Sequence, residues 1–123
     1  MPKLKAEQIE EVRTVIANLD GLQSEITAAV KRKPNEPVTP FQLKIINGVL
    51  ESANRLLSGT KPISGFETFD DDEIPVASDV AMVVAQYVEA FEKVRCENIE
   101  KYDSGWVWVA ADSIYTVPPR PRK

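Results

Sequence analysis

The sequence contains no histidine and only one cysteine, Cys96, among its 123 residues. A Cys/His zinc site needs several such ligands, and the serine and cysteine nucleophile systems need a histidine base, so the chain lacks the residues for either chemistry. A single cysteine also precludes an intrachain disulfide, which indicates a reducing compartment such as the cytoplasm. We expect Cys96 to be a core or boundary side chain of a helix rather than a reactive thiol.

Long apolar segments and an excess of positive charge are also absent. The longest apolar run, residues 80–85, is far shorter than the roughly 20 residues that cross a bilayer, so we expect no membrane association. The formal net charge of −4 makes nucleic acid an unlikely main ligand, because phosphate binding needs clustered lysine and arginine. The short basic patches at 31–33 and 120–123 are typical of helix ends and chain tails.

The composition is that of a folded globular protein. Apolar residues make up 43% of the chain and charged residues 28%, which is close to the average for globular domains and unlike a disordered chain. The length suits one domain. We therefore predict a single helical domain over residues 1–117, followed by a basic, proline-rich tail at 118–123.

Three segments carry the apolar periodicity of amphipathic helices. The first extends from Ala6 to about Lys33, with an apolar seam at Ile9, Val12, Ile16, Leu19, Ile26 and Val30. Gly21 interrupts this segment, and a glycine inside a helix costs about 1 kcal/mol relative to alanine. A kink or break at Gly21 would divide the first helix and give four segments in all.

The second helix has a clear start signal after the proline-rich loop "PNEPVTP". Thr39 is placed to cap the helix, Pro40 suits its first position and Gln42 completes a capping box. The helix should end near Leu57. Its apolar side chains cover more than half of its surface, which predicts burial against several elements: Phe41, Leu43, Ile45, Ile46, Val49, Leu50, Ala53, Leu56 and Leu57.

A third helix is predicted from about Val76 to Tyr102, with Val80, Val83, Val84, Tyr87, Val88, Phe91 and Val94 inward. The strand-forming stretch "WVWVAADSIYTV" follows, and we expect residues 106–110 to pair with 113–117 as a hairpin. The predicted fold is therefore mainly α, an antiparallel bundle of three principal helices with a short C-terminal extended or hairpin segment.

The acidic stretch "FETFDDDEIP", residues 66–75, is the first candidate site. It does not fit the standard calcium loop, because position 6 counted from Asp70 is a proline and position 12 an alanine. Adjacent solvated acids also give no support to paired-acid catalysis. Two interpretations remain. The carboxylates could simply favour the positive start of the third helix, or the stretch could be a docking segment, with Phe66 and Phe69 entering a partner's pocket and the acids Asp70, Asp71, Asp72 and Glu73 facing its basic rim.

The aromatic C-terminal stretch is the second candidate, through Trp106, Trp108 and Tyr115. Alternation places the two tryptophans on one face of a strand. They could cap the open end of the bundle, or they could bind a partner, because a single hairpin leaves unpaired edge groups that another chain can satisfy.

These features favour a non-enzymatic protein-interaction module, a small subunit or adaptor of a larger assembly that binds another protein or a second copy of itself. The alternative is a small acidic inhibitor that occludes a basic site on a nucleic-acid-handling protein. The residues predict no metal, no cofactor and no small-molecule ligand, and they give an enzyme no positive support.

Overall fold

The computed structural model describes residues 4–57, 61–102 and 105–111. In this part of the chain three helices precede two short strands: α1 Ala6–Arg32, α2 Pro40–Leu57, α3 Ala77–Glu97, β1 Ile99–Tyr102 and β2 Gly105–Trp108. The prediction of a mainly α bundle of three helices with a short hairpin near its C-terminus is confirmed. No helix within the described ranges combines the length and the apolar character that a membrane crossing requires.

The first helix, α1, is a single helix of 27 residues and is not divided at Gly21. Gly21 lies on the exposed face, where an added Cβ would meet nothing within 4 Å. The flanking core residues Leu19 and Ile26 are both buried. Their packing outweighs the low helix propensity of one exposed glycine, so the alternative of four segments, with a break at Gly21, does not occur.

Both α2 and α3 start at the end of the bundle where α1 stops. Backbone hydrogen bonds connect the two places: Ala77 N–H donates to the carbonyl of Glu36 at 2.9 Å, and Ser78 N–H donates to that of Pro34 at 3.0 Å. The two helices therefore run in the same direction, each antiparallel to α1. The connection between them has to return along the length of the bundle.

The capping box predicted for α2 is confirmed. Thr39 N–H donates to Gln42 Oε1 at 2.8 Å, and Gln42 N–H donates to Thr39 Oγ1 at 3.1 Å. The prediction that the broad apolar surface of this helix is buried against several elements is wrong in part, because Phe41 is 72% exposed and Ile45 is 45% exposed. Its inward face is formed by Leu43, Ile46, Asn47, Leu50, Ala53 and Leu57.

The third helix, α3, ends at Glu97 instead of continuing to Tyr102. Asn98 ends it: its side chain Nδ2 donates to the Val94 carbonyl at 2.8 Å, and its Oδ1 accepts from Leu4 N–H at 2.9 Å. Cys96 is exposed, so its predicted place in the core or at its boundary is wrong, and its Sγ lies 3.7 Å from Glu92 Oε1.

The described hairpin pairs β2 with residues 99–102, a partner that the sequence interpretation did not assign to a strand. β1 and β2 pair antiparallel, with Ile99 opposite Trp108 and Lys101 opposite Trp106. Residues 99–102, which form β1, were predicted to be the last turn of the third helix. Gly105 has a φ of +120°, which suits glycine at the start of β2. The predicted partner strand, 113–117, and the predicted tail, 118–123, lie outside the described residues.

Candidate interaction surface

The segment that connects α2 to α3, residues 61–76, lies back along α2 and is held there by two asparagines. Asn54 Nδ2 donates to the Glu67 carbonyl at 2.8 Å. Asn47 forms a pair of bonds with Phe69, from Nδ2 to its carbonyl at 2.9 Å and from its N–H to Oδ1 at 3.0 Å. Because the asparagines are two helical turns apart, they share one face of α2 and fix the connecting segment to it.

The two phenylalanines of the acidic stretch are half-buried and pack against the protein's own core. The rings of Phe66 and Phe69 contact each other edge to face, with centroids 5.1 Å apart and an interplanar angle of 71°. This placement favours the helix-entry interpretation of the stretch. A docking role for these rings stays a prediction, and it would require them to leave the core contacts they make here.

The four acids Asp70, Asp71, Asp72 and Glu73 are exposed on a turn shortly before α3. Asp70 shapes this turn: its side-chain Oδ1 accepts from Asp72 N–H at 2.9 Å, and its carbonyl accepts from Glu73 N–H at 3.1 Å. Within the described ranges no three carboxylates or thiols are grouped so that they could hold a metal ion. Binding of a basic partner by these carboxylates, including the inhibitor hypothesis, stays a prediction.

The two tryptophans of β2 share a face of the hairpin but differ in burial. Trp108, opposite Ile99, is only 1% exposed and belongs to the core, whereas Trp106 is 53% exposed. The buried Trp108 indole N–H has no hydrogen-bond partner among the described residues. Trp106 thus remains available to a partner, and Tyr115 lies outside the described residues.

Tyr87 of α3 links the core to Asn54, one of the two asparagines that hold residues 61–76 on α2. Its ring is buried and its hydroxyl donates to Asn54 Oδ1 at 2.6 Å. Burial raises the pKa of the Tyr87 hydroxyl above its usual value, and the negative charge of Glu67 acts in the same direction. Lys61 pairs with Glu67 and lowers the pKa of that exposed carboxyl.

Deprotonation of Tyr87 should therefore lower the free energy of unfolding in alkaline solution. The pKa of Tyr87 is higher in the folded than in the unfolded protein. The contribution of the neutral hydroxyl to the free energy of unfolding is therefore complete below the pKa of the unfolded state, about 10, and is lost as the pH rises through the pKa of the folded state. We expect the difference in unfolding free energy between the wild type and Tyr87→Phe to be constant from about pH 8 to 9 and to shrink above about pH 10. Urea titrations of both proteins measure it. A difference that stays constant or grows above pH 10 would contradict the assignment.

A groove of about 420 Å³ opens between the C-terminal half of α1 and the N-terminal part of α2. Its lining includes the buried apolar side chains Ile26, Val38, Ile46 and Val80, with the less buried Leu22 and Ile45 nearer to solvent. Four exposed charged residues complete the lining: Glu25, Arg32, Lys33 and Glu36. The result is an apolar concavity bordered by charges of both signs.

Phe41 stands next to this groove on the outer face of α2. It lies one turn before Ile45, so the two side chains form one exposed apolar strip that continues into the groove. The sequence interpretation counted the broad apolar surface of α2 among the reasons for an interaction protein, but it did not identify Phe41 and Ile45 as the uncovered residues. The available signal was the number of apolar residues on α2, which exceeds the number on its inward face.

Comparison with protein-family models finds no match to this chain. No curated protein matches its sequence, and no solved structure matches it either. Function is therefore inferred from the groove, the exposed aromatic side chains and the charges described above.

Proposed function

We propose that the protein is a non-enzymatic interaction module, a small subunit or adaptor, that binds a protein partner through the groove between α1 and α2. The observation that carries this proposal is the combination of an apolar groove with a largely exposed phenylalanine, Phe41, at its side. Burying an exposed phenylalanine side chain gives about 1.5–3 kcal/mol, and aromatic side chains are enriched among the residues that dominate binding.

The chemistry of the groove supports a protein ligand. Protein interfaces commonly have an apolar centre and a polar, charged border, and this surface has both. An amphipathic helix is one kind of ligand that fits such a groove, because it presents an apolar ridge with polar flanks. Phe41 and Ile45 would then extend the contact beyond the groove itself.

The double variant Phe41→Asp with Ile45→Asp tests the proposal. We expect it to lose a protein that the tagged wild type captures from its native cells, because two carboxylates would have to be buried in the contact. Its helical content and urea midpoint should change little, since both positions are solvent-exposed.

Met82→Asp is the matched control. Met82 is 68% exposed on α3, almost as exposed as Phe41, and it does not line the groove. A captured protein that the control retains and the double variant loses would support the proposal. Equal capture by the wild type and both variants would overturn it.

A further inference from the structure

We infer that the occupant of the groove is a second copy of this chain, in a two-fold symmetric dimer with the two α1 helices antiparallel across the interface. This inference rests on the proposed function and names its partner. It places Phe41 of each copy against the groove of the other, and it pairs Glu25 of each copy with Arg32 of the other.

The shape of the surface fits this arrangement. A two-fold interface uses the same patch on both subunits, so one patch must provide both the protruding group and the cavity that receives it. Here the protruding Phe41 and the groove are adjacent on the same face of α2, and Ile45 belongs to both. Each copy therefore offers what the other needs.

The charges fix the orientation. Glu25 and Arg32 are seven residues apart on α1, which is two turns, so they lie on the same side of the helix and about 10 Å apart along its axis. Both are exposed, and neither forms an ion pair with any residue in the described ranges. When a second α1 lies antiparallel with the two-fold axis near Ala29, Glu25 faces Arg32 of the second copy and Arg32 faces its Glu25.

This symmetry permits a complementation experiment with charge reversals. In a Glu25→Arg dimer both cross-pairs become Arg with Arg, and in an Arg32→Glu dimer both become Glu with Glu. We expect each single variant to dimerise about tenfold more weakly than the wild type in sedimentation equilibrium at low salt, because two attractive pairs become repulsive. An equimolar mixture of the two variants restores both attractive pairs and should dimerise like the wild type.

The double variant Glu25→Arg with Arg32→Glu should also dimerise like the wild type, because both cross-pairs are again attractive. Glu51→Arg is the control. Glu51 is exposed on α2 and does not line the groove, so its reversal changes the net charge equally without touching the predicted pairs. Failure of the mixture to recover would overturn the inference. A strictly monomeric wild type would also overturn the dimer. In that case the proposed function would still stand if the double variant Phe41→Asp with Ile45→Asp lost capture of a different protein.

Discussion

Replacing Trp108 by alanine is expected to lower the free energy of unfolding by about 3–5 kcal/mol, the range observed when a buried aromatic side chain is removed. Trp108 is 1% exposed and lies at the junction of the hairpin with the helices, opposite Ile99. Removing it leaves a cavity that the two short strands can fill only by losing their position on the bundle. Urea unfolding followed by far-UV circular dichroism measures the change.

The neighbouring tryptophan supplies the matched control. Trp106→Ala, two residues earlier on the same strand face, should cost about 1 kcal/mol or less because half of that side chain is already in contact with solvent. Trp108→Phe should lie between the two, since it keeps an aromatic ring and loses an indole N–H that has no partner among the described residues. Equal costs for the two alanine variants would contradict the placement of Trp108 in the core.

Replacing Asn98 by alanine should have the second-largest effect, a loss of about 1–3 kcal/mol in the free energy of unfolding. Asn98 is buried, and its side chain joins two parts of the chain by accepting from Leu4 N–H and donating to the Val94 carbonyl. The variant leaves two partly buried backbone groups without these bonds, and unsatisfied polar groups shielded from water cost more than a hydrogen bond normally contributes.

Urea unfolding and the hydrogen-exchange rate of the Leu4 amide together test the role of Asn98. The exchange rate should rise in Asn98→Ala even under conditions where the protein is fully folded. Asn18→Ala is the control, because Asn18 is exposed on α1 and its replacement should change stability by no more than about 0.5 kcal/mol. An Asn98→Ala protein as stable as this control would contradict the proposed junction.

The helices were predictable because their signals are local. The capping box of Thr39 and Gln42 is contained within one turn of chain and is present in the structure. Four residues of the predicted α1 seam are buried, whereas Ile16 and Val30 are only partly buried and Val15 is buried in addition. The end of α3 was not predictable in this way. Helical spacing continues past Asn98, and what stops the helix is a contact between Asn98 and Leu4 at the opposite end of the sequence.

The candidate surface shows the same division between local and distant information. Alternation correctly places Trp106 and Trp108 on one face of the strand, but it cannot tell which end of the strand reaches the core. The apolar residues of α2 were all visible in the sequence. Only the packing of the neighbouring elements leaves Phe41 and Ile45 uncovered, and periodicity within one helix contains no information about its neighbours.

The bonds around Leu4 have a consequence for the order in which the chain can fold as it is synthesised. Leu4 N–H donates to Asn98, and the Leu4 carbonyl accepts from Ala111 N–H at 2.8 Å. During synthesis Leu4 therefore leaves the ribosome well before its partners Asn98 and Ala111, which lie 94 or more residues later in the chain. Contacts between such distant positions slow folding, so the start of α1 should be secured only after residues 98–111 have been synthesised.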